Sequence, residues 1–501
     1  MIKRILIANR GEIALRIIRA CKELNICSLA IFSDADINSL HIKYADEAYR
    51  IGGNYPSESY LKIDEIVELA KKVGADAIHP GYGFLSENPK FAEKCEKEGI
   101  IFIGPKSTTL EKTGNKLECK ITLEKAGIPT LKGHKGEIKS LEDLYKVSEE
   151  IGFPILIKSV YGGGGRGLRI VRNKEELREA FLSSQLEAKE AFGRGEVYLE
   201  KYLEGARHIE IQILRDIYGN SIHLGERDCS IQRRYQKIIE MAPSPILNDE
   251  LRKKVGSYAL KAAEVIDYTN AGTVEFLLDK NFNFYFIEIN ARLQVEHPIT
   301  EMVTGVDLVK EQIKIAQGEK LDLKQEDIKI RGFSIECRIN AEDPLNDLMP
   351  SVGTVKYYLP PSGIGVRVDS ALYSGYNIPI YYDSLIAKLI TWGRDFEEAR
   401  GRMVNALKDY QIEGVSTNIP LLLTILNNER FIKQDFTVNF IEEEKILEKT
   451  KMIEANKKRE MEEVAAIVAS LNLKVKKKKE YSTIKNLQVK SLSKGRFIDG
   501  L

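Results

Sequence analysis

Two glutamates raise the first chemical question. The stretch GTVEFLLDKNFNFYFIEIN (272–290) reads as two strands around a polar turn at DKNFN. A turn centred between Asn281 and Phe282 places Glu275 directly opposite Glu288. Facing Cβ atoms in such a pair lie ~5 Å apart, and like charges placed there destabilise a sheet. Alternation puts Asn290 on the face of Glu288. Two carboxylates and an amide oxygen converging in this way have the donor chemistry of a Mg²⁺ site. The plain alternative is a pair of solvated glutamates on an outer face, which the apolar runs on either side disfavour. The chain continues NARLQVEHP. If it stays extended, Asn290, Arg292, Gln294 and Glu296 share one side, and Ala291, Leu293 and Val295 the other. The donor fork of Arg292 suits a small planar anion, and Glu296 beside it can act as a general base. An amphipathic edge strand explains the alternation, but not its adjacency to Glu288.

A second chemical signal is SVYGGGGRGLRIV (159–171), which sets four consecutive glycines and a fifth at Gly167 between the apolar runs ILIKSV and LRIV. The setting is that of a hairpin, yet a tight hairpin turn needs only one or two glycines. The excess suits a lid whose bare backbone N–H groups close over phosphates. No Gly-Lys dipeptide occurs, so a P-loop is absent, and ANRGEIA (8–14) has one glycine where a dinucleotide fingerprint has three. Lys158, at the end of the strand entering the loop, and Lys116, opening a helix in TGNKLECK, are candidate phosphate cations, though a lone lysine is more often a snorkelling surface residue.

The elements that must position these groups alternate. RILIAN, ICSLAIFS, ADAIHP and IIFIGP read as strands, with GEIALRIIRACKELN and NPKFAEKCEKEG as helices between them. This predicts a doubly wound parallel sheet over residues 1–113, with ligand loops at ANRGE and HPGYGFLSEN beyond the strand ends. Residues 114–326 hold the glycine lid (about 131–203) and the carboxylate hairpin. Residues 327–446 carry the strands GFSIECRIN, GTVKYYLP, GVRVDS and AKLITWG, then the helices DFEEARGRMVNALKDY and IPLLLTILN. From 447 to 501 the chain reads as a charged helix followed by a basic tail.

Composition excludes several function classes. In 501 residues, 75 Lys+Arg and 74 Asp+Glu leave a net charge of +1, which gives no broad electrostatic footprint for nucleic acid. No apolar run approaches the ~20 residues that span a bilayer. Arg10, Glu12 and Arg16 interrupt the N-terminal apolar stretch, so it reads as strand, turn and helix, not as a signal peptide. The six cysteines lie scattered without a CxxC pair, which fits reduced thiols in a cytoplasmic protein.

Seven collinear motifs over about residues 1–446 resemble biotin carboxylase, an ATP-grasp enzyme: ANRGEIA, HPGYGFLSEN, IKSVYGGGGRG, EKYLEGARHIEIQ, GERDCSIQRRYQK, IEINARLQVEHPITEMVTGVDLV and ECRINAED. The resemblance implies an α/β ATP-grasp fold with an N-terminal parallel-sheet domain, a mobile lid and a C-terminal α+β domain. It also implies a ligase that uses ATP and Mg²⁺ (or Mn²⁺) to phosphorylate bicarbonate and carboxylate protein-bound biotin. Glu275, Glu288 and Asn290 are then the metal residues. Lys116, Lys158, Gly163, Gly164, Gly165, Glu200, Lys201, Leu203, His208 and Gln232 fall at ATP-binding positions. Arg292, Gln294 and Val295 would hold bicarbonate, with Glu296 as base, and Lys237 would serve bicarbonate and the transferring phosphoryl. Arg338, Tyr82 and Gly83 fall near biotin. Tyr235 stands where the family usually has histidine, which leaves a nucleotide or lid contact there in doubt. No Ala-Met-Lys-Met tetrapeptide of a biotin carrier occurs. The implied partner is therefore a separate carrier/carboxyltransferase subunit, with this chain as a homodimer within a hetero-oligomer. A carboxylase with such a tail is similar to the biotin carboxylase subunit of two-subunit pyruvate carboxylases; the alternatives are an acetyl-CoA or propionyl-CoA carboxylase and, against the motifs ECRINAED and HPGYGFLSEN, another ATP-grasp ligase.

Overall fold

Four short apolar strands and an edge strand open the chain of the computed structural model, which describes residues 1–481 apart from 137, 139 and 162–166. The strands are β1 (Arg4–Ile7), β2 (Cys27–Ser33), β3 (Glu47–Gly52), β4 (Ala77–His79) and β5 (Ile101–Phe102). They pair in the order β3-β2-β1-β4-β5, every pair parallel. This is the doubly wound sheet that the strand–helix alternation predicts, with the order reversing at β1. β3 is the strand that alternation does not reveal. Its residues, EAYRIG, mix charged and apolar types without a clear apolar run and are half-exposed, because it forms one edge of the sheet. Helix α1 (Gly11–Glu23) lays Ile13, Ala14, Ile17 and Ile18 against Ile5 and Ile7. Each fully buried isoleucine there contributes about 1.5–3 kcal/mol.

The lid region contributes a three-stranded sheet in the order β7-β6-β8, formed by β6 (Ile155–Ser159), β7 (Arg169–Val171) and β8 (Val197–Lys201). β6 and β7 pair antiparallel, Ile155 with Val171. The hairpin context is as predicted, while Gly163, Gly164 and Gly165 at its tip lie outside the described residues.

The largest sheet has eight antiparallel strands and crosses the boundary at 326/327. Its members are β9 (Arg207–Arg215), β10 (Ser221–Arg233), β11 (Gln236–Ala242), β12 (Asn270–Leu278), β13 (Phe284–Asn290), β14 (Phe333–Asn340) and two strands at Leu385–Gly393 and Val366–Ser370. The order is β13-β12-β9-β10-β11-β14, then Leu385–Gly393, then Val366–Ser370. The helices Phe396–Asp409 and Ile419–Leu426 close the C-terminal part, and their Met403, Leu407, Leu422 and Ile425 share one core with Ile335 and Cys337 of β14.

The chain divides into two units, Met1–Leu447 and Glu448–Leu501. The charged C-terminal segment is helical over Ile446–Tyr481, longer than the sequence reading, since it includes the start of the basic tail. Among the described residues, no helix is long and apolar enough to cross a membrane. All six cysteines are free and only Cys27 is partly exposed.

Candidate functional site

Strand register assembles the site. Glu275 pairs with Glu288 across β12 and β13, as the sequence predicts, but by a different route. Leu278 pairs with Phe284, so the turn is centred on Asn281, and a bulge between Glu275 and Phe276 restores the carboxylate pair. On its other side Glu275 pairs with Glu210 of β9, and Glu210 pairs with Arg227 of β10. Four strands therefore carry Arg227, Glu210, Glu275 and Glu288 in one row. Glu210 and Arg227 are the residues that local sequence reasoning missed. The alternation of His208, Glu210 and Gln212 in RHIEIQ was the available signal, since it puts all three on one face.

A row of three carboxylates, Glu210 and Glu275 buried and Glu288 partly so, needs positive charge, and the protein supplies much of it. Arg227, fully buried, bonds Glu210 and reaches Gln212 Oε1 at 2.7 Å and Thr273 Oγ1 at 3.0 Å. Lys237 Nζ lies 2.9 Å from Glu275 Oε1, 2.7 Å from Glu296 Oε1 and within bonding distance of Glu210. Lys116 Nζ bonds Glu288 Oε2, and His208 Nε2 lies 3.1 Å from Glu275 Oε2. Two lysines and a histidine therefore already face the Glu275–Glu288 pair and offset the like-charge repulsion expected from the sequence. Burial opposes charge on Glu275, but Lys237 and then His208 outweigh it and hold the carboxyl well below its ordinary range. Lys237 is desolvated too, and Glu210, Glu275 and Glu296 keep its amine well above the ordinary lysine value.

The strand predicted to continue through Glu296 ends at Asn290. β13 is an edge strand, and the next backbone N–H, of Ala291, donates 3.0 Å to Glu87 Oε1 instead of to a ladder partner. Residues 291–296 then turn into the helix His297–Thr304, whose first turn carries Pro298. The polar side chains converge all the same. Arg292 donates to Gln294 Oε1 (2.7 Å), to Asn290 Oδ1 (3.1 Å) and through Nε to Glu87 Oε2 (2.9 Å). Asn290 Nδ2 and Gln294 Nε2 donate to Glu275 Oε1 at 2.9 and 3.3 Å. The partly buried Val295 offers its carbonyl to Lys388 Nζ at 3.1 Å.

Glu296 is fully buried between two cations, Lys237 on Oε1 and Arg338 Nη2 on Oε2 at 2.9 Å. Burial raises its pKa, but Lys237, Arg338 and Arg227 overcome this and hold the carboxyl far below its usual range. Arg338 arrives on β14, which pairs with β11, the strand of Lys237. Lys237, Arg338, Arg233, Gln236, Asn340 and Asn418 line one cleft.

On the lid side, Glu200 of β8 accepts from Lys158 at 2.8 Å and from Lys120 at 2.7 Å. Against the effect of burial, Lys158 and Lys120 lower its carboxyl to about 2. Lys201 turns its amine to the carbonyls of Gly152 (3.0 Å) and Phe153 (2.7 Å), so its side chain holds the lid's own backbone; Leu203 follows at the lid's exit. Gln232 Nε2 lies 2.8 Å from His208 Nδ1 and 2.7 Å from the Cys229 carbonyl. Tyr235 is 42% exposed with φ +64°, on the two-residue turn between β10 and β11, and Lys237 keeps its three carboxylates beside it. Tyr82 donates to Glu12, and Gly83 follows it at φ +68° in the HPGYGFLSEN loop.

Glu275, Glu288 and Asn290 have the hard-oxygen chemistry that suits Mg²⁺, although the Asn290 amide here turns its nitrogen to Glu275 and its oxygen to Arg292. Glu275 also belongs to a cluster with His208 and Glu210 whose ligand atoms all lie within 4.8 Å of one another.

Comparison with known proteins agrees with this architecture. Residues 1–110 match the family model "Biotin carboxylase, N-terminal domain", and residues 336–443 match "Biotin carboxylase C-terminal domain". Residues 115–324 match "Carbamoyl-phosphate synthase L chain, ATP binding domain". Over 443 residues, 88% of this chain, it is 54% identical to biotin carboxylase 1 of Bacillus subtilis, of which 98% is covered. It is 55% identical to a pyruvate carboxylase subunit of Methanothermobacter thermautotrophicus over 88% of this chain and 90% of that protein. The crystal structure of the biotin carboxylase domain dimer of Hydrogenobacter thermophilus 2-oxoglutarate carboxylase, with MgADP, ADP and bicarbonate, superposes with a TM-score of 0.88 at 53% identity. It spans 89% of this chain and 98% of that one. With family matches to its first 110 residues and to 336–443, and relatives more than half identical over 443 residues, the chain belongs to the biotin carboxylase family of ATP-grasp ligases.

Proposed function

We propose that this protein uses ATP and Mg²⁺ to activate bicarbonate as carboxyphosphate and carboxylates the ureido nitrogen of protein-bound biotin, as the first half-reaction of a pyruvate carboxylase. The observation that carries this reading is Glu296, buried between Lys237 on the carboxylate row and Arg338 on the cleft. It stands where a base must, between the phosphoryl side and the biotin side. Its basicity is suppressed while both cations hold it. Substrate oxyanions that draw Lys237 and Arg338 to themselves return basicity to Glu296, so proton abstraction from bicarbonate is coupled to substrate binding. Arg292, fixed by Glu87 and Gln294, and the Gln294–Val295 backbone hold the planar bicarbonate. Lys116, Lys158 and His208 meet the phosphates, with Gln232 setting His208. Glu200, Lys201 and Leu203 flank the adenine. Arg338 opposes the negative oxygen of enolised biotin in a site shielded from water, with Tyr82 and Gly83 near the ring. Glu275, Glu288 and Asn290 would hold Mg²⁺, which neutralises the charge developing on the transferred phosphoryl.

Purified protein with ATP, Mg²⁺ and bicarbonate is expected to release ADP faster when free biotin is added; absence of a biotin-dependent rise overturns the reading. The acceptor is the finer part. Identity is level for the Methanothermobacter pyruvate carboxylase subunit (55%), biotin carboxylase 1 (54%) and the small subunit of the Hydrogenobacter 2-oxoglutarate carboxylase (54%). Reconstitution with the biotinylated carrier/carboxyltransferase subunit should give carboxylation of pyruvate; transfer to acetyl-CoA or propionyl-CoA instead establishes the alternative. We place the reaction in the cytoplasm, in a homodimer bound to that partner subunit.

A further inference from the structure

Behind Arg338 the sheet buries two more glutamates that the proposed chemistry does not use. Glu240 of β11 and Glu336 of β14 are cross-strand partners, both with no exposed surface. Glu240 Oε1 accepts from Arg338 Nε at 2.5 Å. Its Oε2, and both oxygens of Glu336, have no hydrogen-bond partner among the described residues. Glu336 precedes Arg338 by two positions on the same strand, so both side chains rise from one face.

A buried carboxylate with no donor to either oxygen is far too costly to persist as an anion, and such a group takes up a proton. The resulting O–H must itself find an acceptor. The vacant acceptor across the strand pair is Glu240 Oε2, on a residue whose Cβ stands ~5 Å from that of Glu336. We propose that Glu336 is a neutral carboxylic acid donating to Glu240 Oε2, and that this acid–carboxylate pair is the seat that fixes Arg338 beside Glu296 in the cleft. Glu336 is then a positioning residue acting through Glu240. The proposal rests on the function assigned above to Arg338.

The electrostatics agree. Burial pushes the Glu336 carboxyl well up, Lys388 opposes this, Glu240 reinforces it, and Arg338 and Glu296 add smaller opposing and reinforcing effects. Burial lifts Glu240 to about 7, against Arg338 and Lys237 and with Glu296. These are the charged groups facing the pair from β11, β14, the Leu385–Gly393 strand and the head of the His297–Thr304 helix. A folded pKa that is raised means the seat exists in the protonated state and fails as pH rises through it. Two adjacent anions would then compete for one guanidinium and draw it from Glu296.

Infrared difference spectroscopy in D₂O tests this without turnover: the resting protein should show a protonated-carboxyl C=O band that disappears in Glu336→Gln. In the biotin-dependent ADP-release assay, Glu336→Gln, whose amide still donates to Glu240, should keep kcat within about twofold of the native value, with its alkaline limb moved to higher pH. Glu336→Leu, which removes the donor, should lose about tenfold or more in kcat with KM for ATP unchanged, the equivalent of one hydrogen bond to a charged group. No acid band, a band that survives in Glu336→Gln, or a Gln variant as slow as the Leu variant overturns the proposal. Should Glu336→Leu fail to fold, the band and the Gln variant decide. A native enzyme that shows the band but no biotin-dependent turnover counts against the function proposed for the site, not against the pair.

Discussion

Replacing Lys237 by methionine removes a cation and keeps the length of the chain. The side chain is 12% exposed, and its amine sits within bonding distance of Glu210, Glu275 and Glu296. At an effective dielectric constant of about 20, each contact is worth about 6 kcal/mol of bare Coulomb attraction. Desolvation offsets most of that, and breaking a buried pair costs about 3–5 kcal/mol net. Each carboxylate keeps a second partner, Arg227, His208 or Arg338. The lower end, about 3 kcal/mol, is therefore expected, or a fall in Tm of roughly 3 °C for a chain of this size. The pH dependence has a definite sign. Glu275 and Glu296 have depressed pKa values, so their contribution is present at neutral pH and lost as pH falls through the depressed range. The gap in Tm between native protein and variant should therefore be full at pH 7 and close on acidification. Biotin-dependent ADP release should fall at least ~100-fold at pH 7, the cost of removing a charge that faces the reacting oxyanions. Thermal unfolding followed across pH, together with the ADP assay, checks both. A gap that is absent at pH 7, or the same at neutral and acid pH, would refute the compensation argument for the carboxylate row.

Glu288→Gln, which removes the anion paired with Lys116, should raise the Mg²⁺ concentration for half-maximal rate about tenfold; an unchanged Mg²⁺ titration takes Glu288 out of the metal set. Arg338→Gln should keep ADP release without biotin and lower the biotin-dependent part about 100-fold, read by comparing the two rates. Arg292→Lys loses the fork that joins Glu87, Gln294 and Asn290. Its KM for bicarbonate should rise about tenfold or more while that for ATP holds, as substrate titrations would show.

The parallel sheet and the carboxylate hairpin were legible because their signals are local: strand–helix alternation, and two apolar runs around DKNFN. Even so, the Glu275–Glu288 pairing depends on a bulge that offsets the true turn centre, which periodicity does not encode. The extended reading of 291–296 went wrong where β13 runs out of ladder partners and Glu87, some two hundred residues earlier in the chain, takes the next N–H. Lys237 and Arg338 acquire their place from the pairing of β11 with β14, a contact between segments about a hundred residues apart. Only the resemblance pointed to them. The same long-range register hid Glu240 and Glu336, which in sequence look like ordinary solvated glutamates.

The β11–β14 ladder has a consequence for anyone who would divide this polypeptide. A break placed in the connection between β13 and β14 separates the amine of Lys237 from the guanidinium of Arg338 and turns both strands into bare sheet edges. Such edges invite mispairing and aggregation. Fragments cut there should recombine poorly and come out of solution, whereas fragments cut in an exposed surface turn that leaves every ladder whole should complement each other. The seam that looks like a domain border in one dimension is, in three, the worst place to use scissors.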